Sequence, residues 1–106
     1  MTELLKLQKQ IHDTAKSKGW WDEPNSHAKN FMLMVSELAE AMEADRHGNP
    51  PDDKIPQYSG IEAELADTII RILDFAEGNG MDVVGAMIAK VEMNAGRAHM
   101  HGGKKY

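Results

Sequence analysis

Glu37 and Glu40 stand three residues apart, and so do Glu64 and Asp67. On a helix, residues three apart share one face, about a turn from each other. Each pair then presents two carboxylates side by side. Two such helices packed together aim four carboxylates at one point, which a cation makes comfortable. Hard oxygen donors suit Mg²⁺ or Mn²⁺ rather than zinc or copper. A di-iron bundle calls for Glu-x-x-His pairs, and here the pairs are Glu-x-x-Glu and Glu-x-x-Asp. The chain has no P-loop, no dinucleotide fingerprint and no defensible Ser/His/Asp arrangement. Four carboxylates without histidine point to magnesium and phosphate chemistry.

Other residues carry weaker signals. Trp20 and Trp21 are adjacent in a polar stretch of a chain with few aromatics. They either plug the end of a core or stack on a planar ring such as a nucleobase. Lys90, Asn94 and Arg97 form a polar stripe at helical spacing that reaches an anion or faces solvent. The tail adds His99, His101, Gly102-Gly103 and Lys104. Glycines admit a phosphate close to the backbone, and such tails are also often plain termini. Glu64, Asp67, Arg71 and Asp74 make a stripe of three acids to one base. As an ordinary solvated face it would have Arg71 pair with Asp67 and Asp74.

Four helices must position these groups, so the fold class is all-α. The first runs from about Thr2 to Lys18, with Leu4, Leu7, Ile11 and Ala15 on one face and Gly19 as its stop. His12 on it reads as a surface residue. The second starts at Asn25 or Ser26, both good N-caps, and ends at about His47. Its apolar stripe is Phe31, Met34, Val35, Leu38 and Met42, with Glu37 and Glu40 on the flank. Glu37 lies near enough to that stripe to need a partner or a metal. Residues 45–58 hold three prolines and a glycine and read as a mobile loop, either a lid or a tolerated insertion. The third helix opens with a capping box, Ser59 and Glu62, and stops at Gly78. Its core face is Ile61, Leu65, Ile69, Ile72, Leu73 and Ala76. The fourth runs from about Asp82 to Arg97, with Val83, Val84, Met87, Ile88 and Val91 apolar.

Composition bounds the rest. A chain of 106 residues is one domain, residues 1–106, and small domains bury modest cores. Oligomerisation is therefore expected. Without cysteine, disulfides and thiolate metal sites are excluded, which fits a reducing compartment. No apolar run approaches the length of a membrane span and no signal peptide is evident. The chain reads as soluble and cytoplasmic. Its net charge of -5, from 17 acidic and 12 basic side chains, argues against a broad nucleic-acid footprint.

Glu37-x-x-Glu40, 23 residues, then Glu64-x-x-Asp67 resembles the motif of the MazG-like all-α nucleotide pyrophosphohydrolases. Lys18-Gly19-Trp20-Trp21-Asp22, Ser36-Glu37-Leu38-Ala39-Glu40-Ala41 and Ala66-Asp67-Thr68-Ile69-Ile70-Arg71 are similar to further parts of that family. So are Lys90, Asn94 and Arg97, followed by His101-Gly102-Gly103-Lys104. The likeness spans nearly the whole chain in order. It implies a four-helix bundle completed by oligomerisation, as a homodimer or dimer of dimers with sites near subunit contacts. It implies Mg²⁺-dependent hydrolysis of (deoxy)nucleoside triphosphates between the α and β phosphates, giving monophosphate and pyrophosphate. By the same resemblance Glu37, Glu40, Glu64 and Asp67 hold Mg²⁺. Lys90, Asn94 and Arg97 or Lys104 hold phosphate oxygens, and Trp20 or Trp21 borders the base. Glu40, then Glu37, is the expected general base. The family often has Glu-Glu-x-x-Glu, and Ser36 replaces the leading glutamate here, which touches the metal count more than the fold. The alternative functions are a non-catalytic helical module that binds a nucleotide or partner, and a structural assembly with a solvated acidic face.

Overall fold

The computed structural model describes residues 2–96. Its elements are α1 (Glu3–Ser17), α2 (His27–Arg46), α3 (Gly60–Gly78) and α4 (Val83–Ala95), and the described residues contain no strand. Each helix opens on a side-chain cap. Thr2, Ser26, Ser59 and Asp82 accept from Leu5, Lys29, Glu62 and Gly85 backbone N–H groups, which quiets donors that a helix leaves unpaired. At α3 the box is complete, because Glu62 returns a bond to the Ser59 N–H at 3.0 Å.

α3 is the central element. It lies along α2 and against α1, whereas α4 packs along none of the other helices. The buried side chains reflect this: Ala15, Ala41, Ala63, Leu73, Phe75, Ala76 and Val84 form a small core with the polar Gln8 and Thr68. Thr68 satisfies its hydroxyl on the Glu64 carbonyl. Gln8 donates to Glu77 at 3.0 Å, and its own amide oxygen is buried without a partner among the described residues. His27, Phe31 and Phe75 stack edge to face or tilted where α2 begins beside the end of α3.

The periodicity located the helices but misjudged which stripes a single chain covers. Leu65 and Ile69, expected on the core face of α3, are exposed, and so are Val35, Leu38 and Met42 of the α2 stripe and Met87 and Val91 of the α4 set. α2 and α3 pack along each other, and among their buried residues are the small Ala41 and Ala63. Of the larger side chains, Leu73 and Phe75 of α3 are buried.

Two punctuation marks also differ. Gly78 does not stop α3; the helix continues through it to the cap Asn79, and Gly80 takes the positive φ of 65°. Gly78 lies under the ring of Trp21, where a Cβ would collide with the indole. Residues 45–58, expected to be a mobile loop, are a hydrogen-bonded connection. α2 extends into them as far as Arg46, and Asn49 N–H bonds back to Ala44 at 2.7 Å. The Asn49 side chain accepts from Ile61, Gly60 donates to the Pro50 carbonyl, and Asp52 donates to the Tyr58 carbonyl. The Asp52 carboxylate accepts from the Lys54 and Ile55 backbone N–H groups. Its prolines could not supply donors, so these asparagine and aspartate bonds close the connection instead.

Candidate metal and nucleotide site

Packing α2 on α3 brings three of the four expected carboxylates together. Glu37, Glu64 and Asp67 each offer an oxygen within 4.8 Å of the others. The spacing does this directly: Glu64 and Asp67 share a face of α3, and Glu37 faces them from the flank of the α2 stripe. Glu40, expected as both ligand and base, stands one turn further along α2. It is exposed and lies outside that group, although its charge still acts on Glu64. Ser36 donates to the Leu33 carbonyl at 2.6 Å, so its hydroxyl is spent on its own helix.

Crowded like charges are visible in the electrostatics. Partial burial, a hydrogen bond shared with Glu37, and the charges of Glu37, Asp67 and Glu40 push the Glu64 carboxyl from its ordinary 4.5 up to about 7. Asp67 is also raised, by burial and then by Glu37, with Arg71 pulling the other way. Asp52 and Lys54 act on Asp67 too, so the connection after α2 borders the acidic cluster.

The cluster fits a hard divalent cation by chemistry. All three donors are carboxylate oxygens, and crowding that costs protonation when empty is relieved by a positive charge. Oxygens on one Mg²⁺ span at most about 4 Å, so carboxylate oxygens within 4.8 Å of one another need at most a small closure.

A narrow cleft adjoins the cluster. Trp20, Trp21, Asn30, Leu33, Met34, Ile70, Arg71, Asp74 and Phe75 line its open space of about 40 Å³. The two tryptophans differ in role. Trp21 is half-buried and held: its Nε1 donates to both Asp74 oxygens, at 3.0 and 3.1 Å. Trp20 is 59% exposed. His12 also differs from its surface reading. It stacks edge-on against Trp21 and sits 2.8 Å from Asp74, with only 12% of its side chain exposed. The pairings of Arg71 with Asp67 and Asp74 that an ordinary solvated face would show are not formed. Its Nε donates to Glu37 Oε1 at 3.0 Å, across to the other helix, and Asp74 is taken by His12 and Trp21.

Lys90 and Asn94 lie exposed on α4, and no hydrogen bond or ion pair among the described residues ties them to the acids. Arg97 and Lys104 fall outside the described residues. Arg71, Asn30 and Asp74 line the cleft, with His12 hydrogen-bonded to Asp74, and sequence reasoning gave none of them a site role. For Arg71 the signal was present, as the lone base in an acidic stripe. His12 and Asp74 meet from helices 62 residues apart in sequence, which no local pattern reports. No helix among the described residues is long and apolar enough to cross a membrane.

Compared with known proteins, the chain matches no family model, no curated protein and no solved structure.

Proposed function

We propose that this chain is a MazG-like pyrophosphohydrolase that hydrolyses (deoxy)nucleoside triphosphates at the α-β phosphoanhydride, releasing nucleoside monophosphate and pyrophosphate. The observation that carries the reading is the convergence of Glu37, Glu64 and Asp67 within 4.8 Å, with Glu64 driven up to about 7 in the absence of a cation. Glu37, Glu64 and Asp67 would hold Mg²⁺, or Mn²⁺ in its place, with Glu40 free beside them. The ion would neutralise phosphate charge and polarise the scissile phosphorus centre. Glu40, exposed and outside the close group, takes the proton of the attacking water on a carboxylate oxygen.

The aromatic cleft receives the base. Its 40 Å³ admits little more than a water or two, so an entering ring displaces the exposed side chain of Trp20 and stacks against the fixed Trp21. Lys90 and Asn94, with Arg97 or Lys104, supply phosphate contacts. The uncovered stripes of α2, α3 and α4 support a homodimer or dimer of dimers that brings α4 against another copy. Nucleotide-pool control or house-cleaning in the cytoplasm is the role such an activity serves.

The test is pyrophosphate release from a panel of nucleoside triphosphates with and without Mg²⁺, for wild-type protein, Glu64→Ala and Glu40→Ala. Metal-dependent release that both substitutions abolish supports the reading. Folded protein that releases nothing, yet melts higher with Mg²⁺ and nucleotide, moves the chain to a non-catalytic nucleotide-binding module.

A further inference from the structure

Arg71 lies where the acidic cluster and the aromatic cleft meet. Its Nε holds Glu37, a member of the cluster, at 3.0 Å, while the same side chain lines the cleft beside Trp20, Trp21 and Asn30. It is the one cationic side chain in that lining. A guanidinium has five N–H donors in a planar fork. The bond to Glu37 uses one, and the four on the terminal nitrogens have no partner among the described residues. The pair is also unequal in exposure: 15% of the Glu37 side chain is exposed against 37% for Arg71.

We propose that Arg71 is an anion clamp: it binds oxyanions of the ligand's phosphate chain, and its pairing with Glu37 couples that binding to the divalent cation. This deepens the proposed function and rests on its metal site. The physical argument is competition for one carboxylate. Glu37 cannot give the same oxygen fully to a guanidinium and to a cation about 2 Å away, and two positive charges on it repel. A cation held by Glu37 would therefore loosen Arg71, whose fork would be left to turn to the nearest free anion. A phosphate chain lying between a base in the cleft and a cation on the cluster passes that point. Arginine suits this task because its fork meets phosphate with two parallel bonds, which a lysine cannot copy.

The signs of two binding constants separate this role from simple charge neutralisation. The full chain, Arg71→Met and Arg71→Lys are titrated by calorimetry with Mn²⁺ alone, then with the Mg²⁺ complex of inorganic tripolyphosphate. Arg71→Met is expected to bind Mn²⁺ severalfold more tightly, since its competitor for Glu37 is gone. It is expected to bind Mg²⁺-tripolyphosphate about tenfold more weakly or worse, the loss of a charge-assisted pair of bonds. Arg71→Lys recovers part of the anion affinity as a point charge, and its melting temperature guards against misfolding. Arg71→Met that binds tripolyphosphate like wild type overturns the clamp while the metal reading stands. Weakening of both probes together makes Arg71 a structural prop and also overturns it. Wild-type protein that binds neither probe sinks the clamp and the metal site at once.

Discussion

Glu64 is the residue whose chemistry is most exposed to test. Its folded pKa, about 7, is above the ordinary 4.5 that it recovers on unfolding. The folded state therefore holds this proton more tightly, and ionising the group opposes folding. Metal-free protein should be at full stability, as far as this group goes, below pH 4.5. It should lose stability as pH rises towards 7 and level off above. Asp67, also raised, acts in the same direction. Thermal melts in a chelator between pH 4.5 and 8 check this. Glu64→Gln should raise the melting temperature at pH 8 and flatten the slope, and added Mg²⁺ should stabilise wild type more at pH 8 than at pH 5. An apo melting temperature that climbs steadily from pH 5 to 8 contradicts the clustering. Asp74 is a second residue of consequence. Asp74→Ala strands the Trp21 N–H and His12 in a part-buried site, at a cost of about 1–3 kcal/mol. Chemical denaturation followed by tryptophan emission reads both the loss and the release of Trp21.

At the scale of the element, α3 carries most of what the fold needs. Its capping box was legible because it is local: Ser59 and Glu62 lie within one turn and need no partner. Ser59→Ala should cost about 1 kcal/mol, seen as a lower denaturation midpoint with unchanged helicity. Gly78 was misread for the opposite reason. A glycine near a helix end suggests a stop, but this one is bare because Trp21, 57 positions earlier in the chain, lies on it. Gly78→Ala gains up to about 1 kcal/mol of helix propensity and forces the indole away, an overpacking cost of about 1–3 kcal/mol. A net loss of stability with a red shift of tryptophan emission is expected. A gain in stability with unshifted emission would show that the close packing is not a constraint.

At the scale of the molecule, the described residues do not cover all of their own apolar surface. Phe31, Val35, Leu38 and Met42 line one side of α2 at seven-residue periodicity, all about half exposed, and Met87, Ile88 and Val91 are similarly exposed on α4. A 13-residue helix with one buried side chain gains little stability alone. Contiguous exposed patches beyond a few hundred Å² are uncommon on monomers. Val91→Glu should therefore shift sedimentation towards the monomer and lower the melting temperature by several degrees. On a monomer the same surface change would alter stability by no more than about 0.5 kcal/mol.

Within reach of the sequence alone were the four helices, their caps and the acidic pairs, because each rests on interactions within a turn or two of the chain. The i, i+3 spacing placed Glu64 and Asp67 on one face before any packing was known. What only the tertiary structure decided is which groups meet across helices. It set Glu37 rather than Glu40 against Glu64 and Asp67, turned Arg71 to Glu37, and bound Asp74 to His12 and Trp21. It also closed residues 45–58 by their own hydrogen bonds and left the larger apolar stripes uncovered. Local periodicity says which side of a helix is apolar. Which neighbour, if any, buries that side depends on how closely the backbones approach.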